Sequence, residues 1–348
     1  PQDPDIYADP QPRIQAPETP QEPQTPEVVP EVQTTAVAVQ ATETTHSHKD
    51  GLNFEHALTS KNGKLCIDGV PQDGNDINPK HDENPGNYMS YYLADELELN
   101  GSLNISFGRA INLCLNGHSI KQTGNVDAIT VYNYKVVNLY DCSENNKGQI
   151  THTDGATGRG IKFFASASNQ FNMYGGTITG NHATATDNDK GLGGGVLVTG
   201  NDKGSFNLHG GVITGNSAAN GGGVAVCSTQ SNNKSTSRYF NMSGGTISDN
   251  QATENGGGVY VENNGRVTVS GGEIKNNTAT KGGGIGGGTH GTSSGSIIAD
   301  QGPPIYITVS DSAKITGNRA PVGGGIYAGD DAYGYCRFTM TGGEISGN

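Results

Sequence analysis

The chain has 348 residues, of which 54 are glycine, none is tryptophan and 32% are hydrophobic, a composition too poor in apolar side chains for a conventional large globular core. Its formal charge is −13 and no stripe of Lys and Arg occurs, which excludes the clustered cations that a nucleic-acid surface uses to displace counterions. No run of 18 apolar residues exists to span a bilayer, and five scattered cysteines form neither a small disulfide scaffold nor a CxxC zinc site.

Residues 1–45 are rich in Pro, Thr and Glu, carry eight acids against the single Arg13, and show no sustained periodicity. Such a segment cannot offset the entropy of ordering its backbone, so it reads as a disordered linker. The chain begins at Pro1 rather than at a methionine, the pattern left when a signal peptide is trimmed, and the expected location is therefore extracellular. From His46 to about Asn100 the composition turns globular, with Phe54, Leu58, Leu65, Ile67, Tyr91 and Leu93, and this stretch is expected to cap the fold that follows.

From Ile111 onward an apolar residue, an Asn or Thr, and a second apolar residue recur in eight copies, among them Ile111-Asn112-Leu113, Phe206-Asn207-Leu208 and Phe338-Thr339-Met340. In a strand the two flanking side chains point to one face and the middle one to the other. A second short strand centred on an isoleucine follows each copy, at Ile120, Ile150, Ile178, Ile213, Ile247, Ile274, Ile315 and Ile345, and usually a third follows, as at Val259-Tyr260-Val261. The stretch from Gly244 to Ser270 is 27 residues long, enough for three strands and three turns but too short to include a crossover helix. The predicted fold is all-β: a right-handed parallel β-helix of about eight coils over 101–348, after a cap over 46–100. The sequence stops just inside a repeat, so further coils are expected beyond Asn348.

Asn181, Asn216, Asn250, Asn277 and Asn318 each stand three residues past a second-strand isoleucine. They are expected to sit at a turn, to hydrogen-bond their counterparts on adjacent coils, and to tolerate left-handed backbone geometry there. Glycine triplets such as Gly256–Gly258 precede the third strand; no helix follows them to bind phosphate, so they are expected to permit positive φ and close coil-to-coil approach.

The strings ITGNSAANGGGVAV from Ile213, ISDNQATENGGGVYV from Ile247 and ITGNRAPVGGGIYA from Ile315 resemble repeats of β-helical bacterial surface proteins. Chlamydial polymorphic membrane proteins carry a similar pairing, although here the third glycine replaces alanine and isoleucine replaces phenylalanine. NLCLNGHSI from Asn112 and NLYDCS from Asn138 resemble the opening coils of repetitive surface proteins of Gram-positive gut bacteria. The resemblance implies adhesion or host interaction.

The parallel β-helix also houses pectate lyases and polygalacturonases, but the ordered motifs of those enzymes do not recur: Arg159 and Lys162 precede any acidic pair, and His209 and His290 lack a Gly-His-Gly context. The chain is read as a non-enzyme without a cofactor, with calcium at Asp187 and Asp189, joined by Asp202, or zinc at His46 and His48 as the metal candidates. Cys114 and Cys142 lie on adjacent coils but two positions out of register, which favours free thiols.

With a filled interior, binding is expected on outward side chains and insertions: Tyr260 and Tyr327 on the third strand, Asn232 and Asn233 in one insertion, Tyr333 and Tyr335 in another. The leading expectation is a monomeric, surface-displayed or secreted bacterial adhesin whose partner is a glycan, a mucin or a host protein. A carbohydrate-active β-helix enzyme and a structural stalk are the alternatives.

Overall fold

The computed structural model describes residues 46–48, 51–77, 88–106, 108, 110–132, 135–184, 189, 191–227, 237–262, 264–288, 305–329 and 336–348. The predicted linker 1–45 and the candidates Asp187, Asn232, Asn233, Tyr333 and Tyr335 lie outside these residues.

Three long sheets of twelve, nine and nine strands run the length of the described chain. One rung shows how they are built. Arg238–Met242 lies in the first sheet, Thr246–Ser248 in the second and Val259–Val261 in the third. The chain then returns to the first sheet at Gly265–Val269, parallel to its starting strand, with Phe240 opposite Val267. The architecture is a parallel β-helix.

The apolar-Asn/Thr-apolar triplet makes the first sheet because its flanking residues face inward together; Phe206, Phe240, Val267 and Ile307 have no exposed surface. In the second sheet the eight predicted isoleucines form one column, Ile120 opposite Ile150, Ile150 opposite Ile178, and so on to Ile345. Each fully buried isoleucine contributes about 2 kcal/mol of transfer free energy. A one-residue slip would turn such a column to solvent, so the column also fixes the register.

The stack begins one rung earlier than the repeat signature shows. Met89–Leu93, Leu97–Leu99 and Leu103–Ser106 already form a complete rung, so the coils start before residue 101. This rung carries Ser90 where the next five rungs carry asparagine, and Ser90 Oγ accepts a hydrogen bond from Asn112 Nδ2 at 3.2 Å. Above it, His56–Lys61 runs parallel to Met89–Leu93, and Lys64–Ile67 folds back antiparallel onto His56–Lys61. Leu58, Leu65 and Ile77 close the core at this end with no exposed surface.

Two asparagine ladders run along the rod. On the outer face of the first sheet, Asn138 donates to Asn112 at 2.9 Å, Asn172 to Asn138 at 2.8 Å, Asn207 to Asn172 at 2.7 Å and Asn241 to Asn207 at 2.8 Å. The second ladder lies in the turn after the second sheet, where the Nδ2 groups of Asn181, Asn216, Asn250, Asn277 and Asn318 each donate to the Oδ1 of the next asparagine, ending on Asn348, at 2.8–3.0 Å. His152 takes the preceding place, with Nδ1 2.7 Å from Asn181 Oδ1. The left-handed backbone belongs not to these asparagines but to the residue before each, Gly180, Gly215, Asp249, Asn276 and Gly317. That arrangement leaves the ladder side chain aimed inward while a glycine, Asp or Asn absorbs the positive φ.

In the glycine triplets only the first residue has positive φ, as at Gly256 (+66°); the second is required by space. A Cβ on Gly257 would lie 2.5 Å from Thr278 O and 2.6 Å from Gly283 O on the next rung.

Candidate functional site

The residue that follows the last inward apolar position of the first sheet begins the first corner, and four successive rungs place Cys114, Tyr140, Tyr174 and His209 there. Because parallel rungs repeat at about 4.8 Å, aromatic residues at one column position must stack. Tyr140 and Tyr174 lie 5.0 Å apart at 10°, and Tyr174 and His209 4.9 Å apart at 15°. Ring faces are spent on one another, so the ladder turns ring edges to solvent; Tyr174 is 45% exposed. His209 Nδ1 is 2.8 Å from Ser243 Oγ, which ends the aromatic run.

Beside this ladder the corner of the Tyr140 rung is enlarged into a loop, 141–148. Asp141 organises it: its Oδ1 accepts from Gly117 N (2.9 Å) and Ser143 N (3.2 Å), and its Oδ2 from Ser143 Oγ (2.6 Å) and Gly148 N (2.8 Å). Asn146 ties the loop to the next rung, Oδ1 accepting from Gly176 N at 3.0 Å and the backbone oxygen from Thr177 Oγ1 at 2.9 Å. Asn145 and Asn146 both sit at positive φ, +64° and +52°, one after the other. Asparagine tolerates this backbone, so the two residues turn the loop tightly. The result is a groove of about 280 Å³ lined by His48, Tyr140, Asp141, Glu144, Asn145 and Tyr174, with Ser143 and Asn146. Glu144 and Asn145 are exposed along it.

No protein-family model, curated protein or solved structure matches the chain. What the groove can do follows from its own chemistry. The exposed Glu144 carboxylate, the exposed Asn145 amide, which both donates and accepts, and the tyrosine edges suit a ligand rich in hydroxyl groups. Two acids at the groove in a chain of charge −13 disfavour polyanions such as uronate polymers.

The residues predicted as binding positions fall elsewhere. Tyr260 points outward from the third sheet but is only 1% exposed, which corrects its reading as an accessible surface residue. It joins a satellite apolar cluster with Leu192, Leu197, Ala225 and Cys227, and its hydroxyl donates to Glu262 at 3.0 Å. Its register neighbours Ala225 and Gly286 are small, so a second apolar layer can form on the outer face; outward is not the same as exposed. Tyr327 is half-buried, with Lys281 Nζ 5.3 Å from its ring centre.

The acid-and-base pattern tested against polysaccharide chemistry is internally paired. Arg159 Nη1 is 3.1 Å from Asp127 Oδ1 and 3.6 Å from Asp189 Oδ2, and Lys162 Nζ is 2.5 Å from Asp189 Oδ2. Asp189 therefore faces two cations of its own chain, which supply its counter-charge. Asp202 accepts from Ala167 N at 3.2 Å and Lys203 N at 2.7 Å.

The two histidines paired in the sequence as zinc candidates diverge. His48 turns against Tyr140, ring centres 5.3 Å apart, and lines the groove. His46 stacks on Tyr92 at 5.3 Å and points Nε2 at two sulfurs, Cys142 Sγ at 3.0 Å and Cys114 Sγ at 3.6 Å. Cys114 is opposite Tyr140 in register, and the enlarged corner brings Cys142 back beside it. Burial, and then the neighbouring Cys142, push the Cys114 thiol up to about 12, while burial and then His48 lower His46 from its usual range.

Proposed function

We propose that this protein is an extracellular, adhesin-like binding module of bacterial origin that holds a hydroxyl-rich, uncharged or cationic glycan segment in the groove between the Tyr140–Tyr174 ladder and the 141–148 loop. The observation that carries the reading is this preorganised groove on the outside of a rod whose bore is filled. Loop backbone is fixed by Asp141 and Asn146, so binding costs little ordering, and Glu144, Asn145 and Tyr174 are left at the surface to meet a ligand. The groove volume lies just below the range of small-molecule sites, about 300–1,000 Å³, which suits one or two sugar rings rather than a long chain.

The test is an array of neutral, amino and uronate glycans probed with the full chain, with release of unsaturated or reducing sugars followed in parallel. Saturable binding to neutral or amino glycans is expected, without product. Tyr174→Ala and Glu144→Gln should each weaken it by about tenfold, roughly 1.4 kcal/mol. Binding that both variants leave unchanged would remove the groove from the explanation. Sugar release would favour the carbohydrate-active alternative, and silence on the array a structural stalk.

A further inference from the structure

The cluster of His46, Cys114 and Cys142 is independent of the groove's ligand, and its three donor atoms converge on one point. Their three donor atoms all lie within 4.8 Å of one another, with the imidazole nitrogen 3.0 and 3.6 Å from the two sulfurs. We propose that these residues bind one soft divalent cation of the zinc class and that the cation clips the N-terminal hairpin onto the coil stack.

Zinc–sulfur and zinc–nitrogen bonds of about 2.3 and about 2.0–2.1 Å at a tetrahedral angle place the sulfurs about 3.8 Å apart and each about 3.6 Å from the nitrogen. The trio reaches that arrangement by shifts of about an ångström or less. A disulfide would instead need the sulfurs at about 2.05 Å, with Cα atoms that face each other, whereas Cys114 is opposite Tyr140. Two sulfurs and an imidazole select zinc-like ions; calcium takes oxygen ligands.

The surroundings orient each donor. Stacking on Tyr92 holds the His46 ring. Asn116, at φ +51°, donates from Nδ2 to Leu93 O at 3.1 Å and holds its Oδ1 3.3 Å from Cys142 Sγ. The amide oxygen, or a water, completes the coordination. Cys114 is buried while His46 and Cys142 are half-buried, which leaves one open side for the ion to enter. Binding converts both thiols to thiolates and releases two protons to solvent.

The clip has a mechanical reason. Among the described residues, the hairpin that carries His46 pairs two on each side, His46–Ser47 with Asn53–Phe54, and adds a bond from His48 N to Leu52 O at 2.8 Å. Two-stranded hairpins are marginal alone. A metal bond joins this hairpin to positions 68 and 96 residues further along the chain, on two successive rungs. The ligand bonds hold the hairpin docked, and in the unfolded chain they would close loops of that length, which lowers its entropy.

Reduced full-length chain titrated with Co²⁺ and Zn²⁺ tests the site. The expected result is one ion per chain, a thiolate-to-cobalt charge-transfer absorption with tetrahedral d–d bands, and a rise in Tm with Zn²⁺. Cys142→Ser and His46→Ala should each lower affinity at least tenfold, while Cys336→Ser, far along the rod, should not change it. The cobalt spectrum of the unaltered chain serves as a test that needs no variant to fold. Absence of the charge-transfer band, binding that survives both substitutions, or a Cys114–Cys142 disulfide in the isolated protein would each overturn the proposal.

Discussion

Asn250→Ala removes one step from the buried ladder, and the structure gives the size of the loss. Asn250 Nδ2 donates to Asn277 Oδ1 at 3.0 Å and to Ile213 O at 2.9 Å, and its Oδ1 accepts from Asn216 N and Asn216 Nδ2, both at 3.0 Å. Asn216 Nδ2 keeps Ile178 O at 2.9 Å and Thr214 O at 3.1 Å, and Asn277 Oδ1 keeps the backbone N–H of Asn250 at 3.0 Å. The Asn216 N–H, on a residue 1% exposed, loses its acceptor. One orphaned buried group at about 1–3 kcal/mol and three further lost bonds at about 0.5–1 kcal/mol each give about 4 kcal/mol. With an unfolding entropy of about 2.1 cal/mol/K per residue over roughly 300 residues, Tm should fall by about 6 °C. Asn241→Ala in the outer ladder is the control. Asn241 donates to Asn207 at 2.8 Å where both side chains are half-buried, so water replaces what is lost and the cost should stay near 1 kcal/mol. Thermal unfolding followed by circular dichroism separates the two. Equal losses, or an Asn250→Ala protein within 1 kcal/mol of the unaltered chain, would refute the assignment of stability to the inner ladder.

Gly257→Val should cost more than about 3 kcal/mol, because its first carbon would meet Thr278 O and Gly283 O at 2.5 and 2.6 Å and two rungs of backbone would have to part; an unchanged Tm would contradict the close-approach role of the triplets. Burial, and then the charge of Asp68, push the Tyr91 phenol from 10.0 up to about 12. The unfolded chain therefore loses this proton first, and the associated stability is whole below pH 10 and declines as pH rises to 12, by at most about 2.7 kcal/mol. Tyr91→Phe should flatten that part of the alkaline unfolding profile, and an unaltered slope would show that Tyr91 is not the group responsible.

Much of the fold could be read from the residues because a solenoid writes its geometry in local repeats. The spacing of Ile178, Ile213 and Ile247 locates the second sheet, and the triplets around Asn172, Asn207 and Asn241 locate the first, since each rung must present the same residue types to the rung beside it. The rung at Met89–Ser106 escaped the pattern because Ser90 replaces asparagine and still serves as the acceptor. The left-handed position lies one residue earlier for a related reason: Asn216 and Gly215 both tolerate turns, and only the folded chain shows which of them bends.

The candidate site was far less legible. Tyr140, Tyr174 and His209 are 34 and 35 residues apart in sequence, and only the column signature, the residue after Leu139, Met173 and Leu208, could have flagged them. Cys114 and Cys142 were visible as near neighbours on adjacent coils, but nothing local to either points to His46, which arrives from a hairpin outside the repeat. Tyr260 was misread as accessible because strand alternation reports direction and not cover.

Sequence alone thus determined the parallel strands, their apolar columns and the asparagine turns, because those depend on interactions between equivalent positions a fixed distance apart. Tertiary structure decided where aromatic edges, the 141–148 loop and the thiol–imidazole cluster meet, because each joins residues from departures in the repeat: an enlarged corner, a column that changes residue type, and a terminal hairpin folded back on the stack.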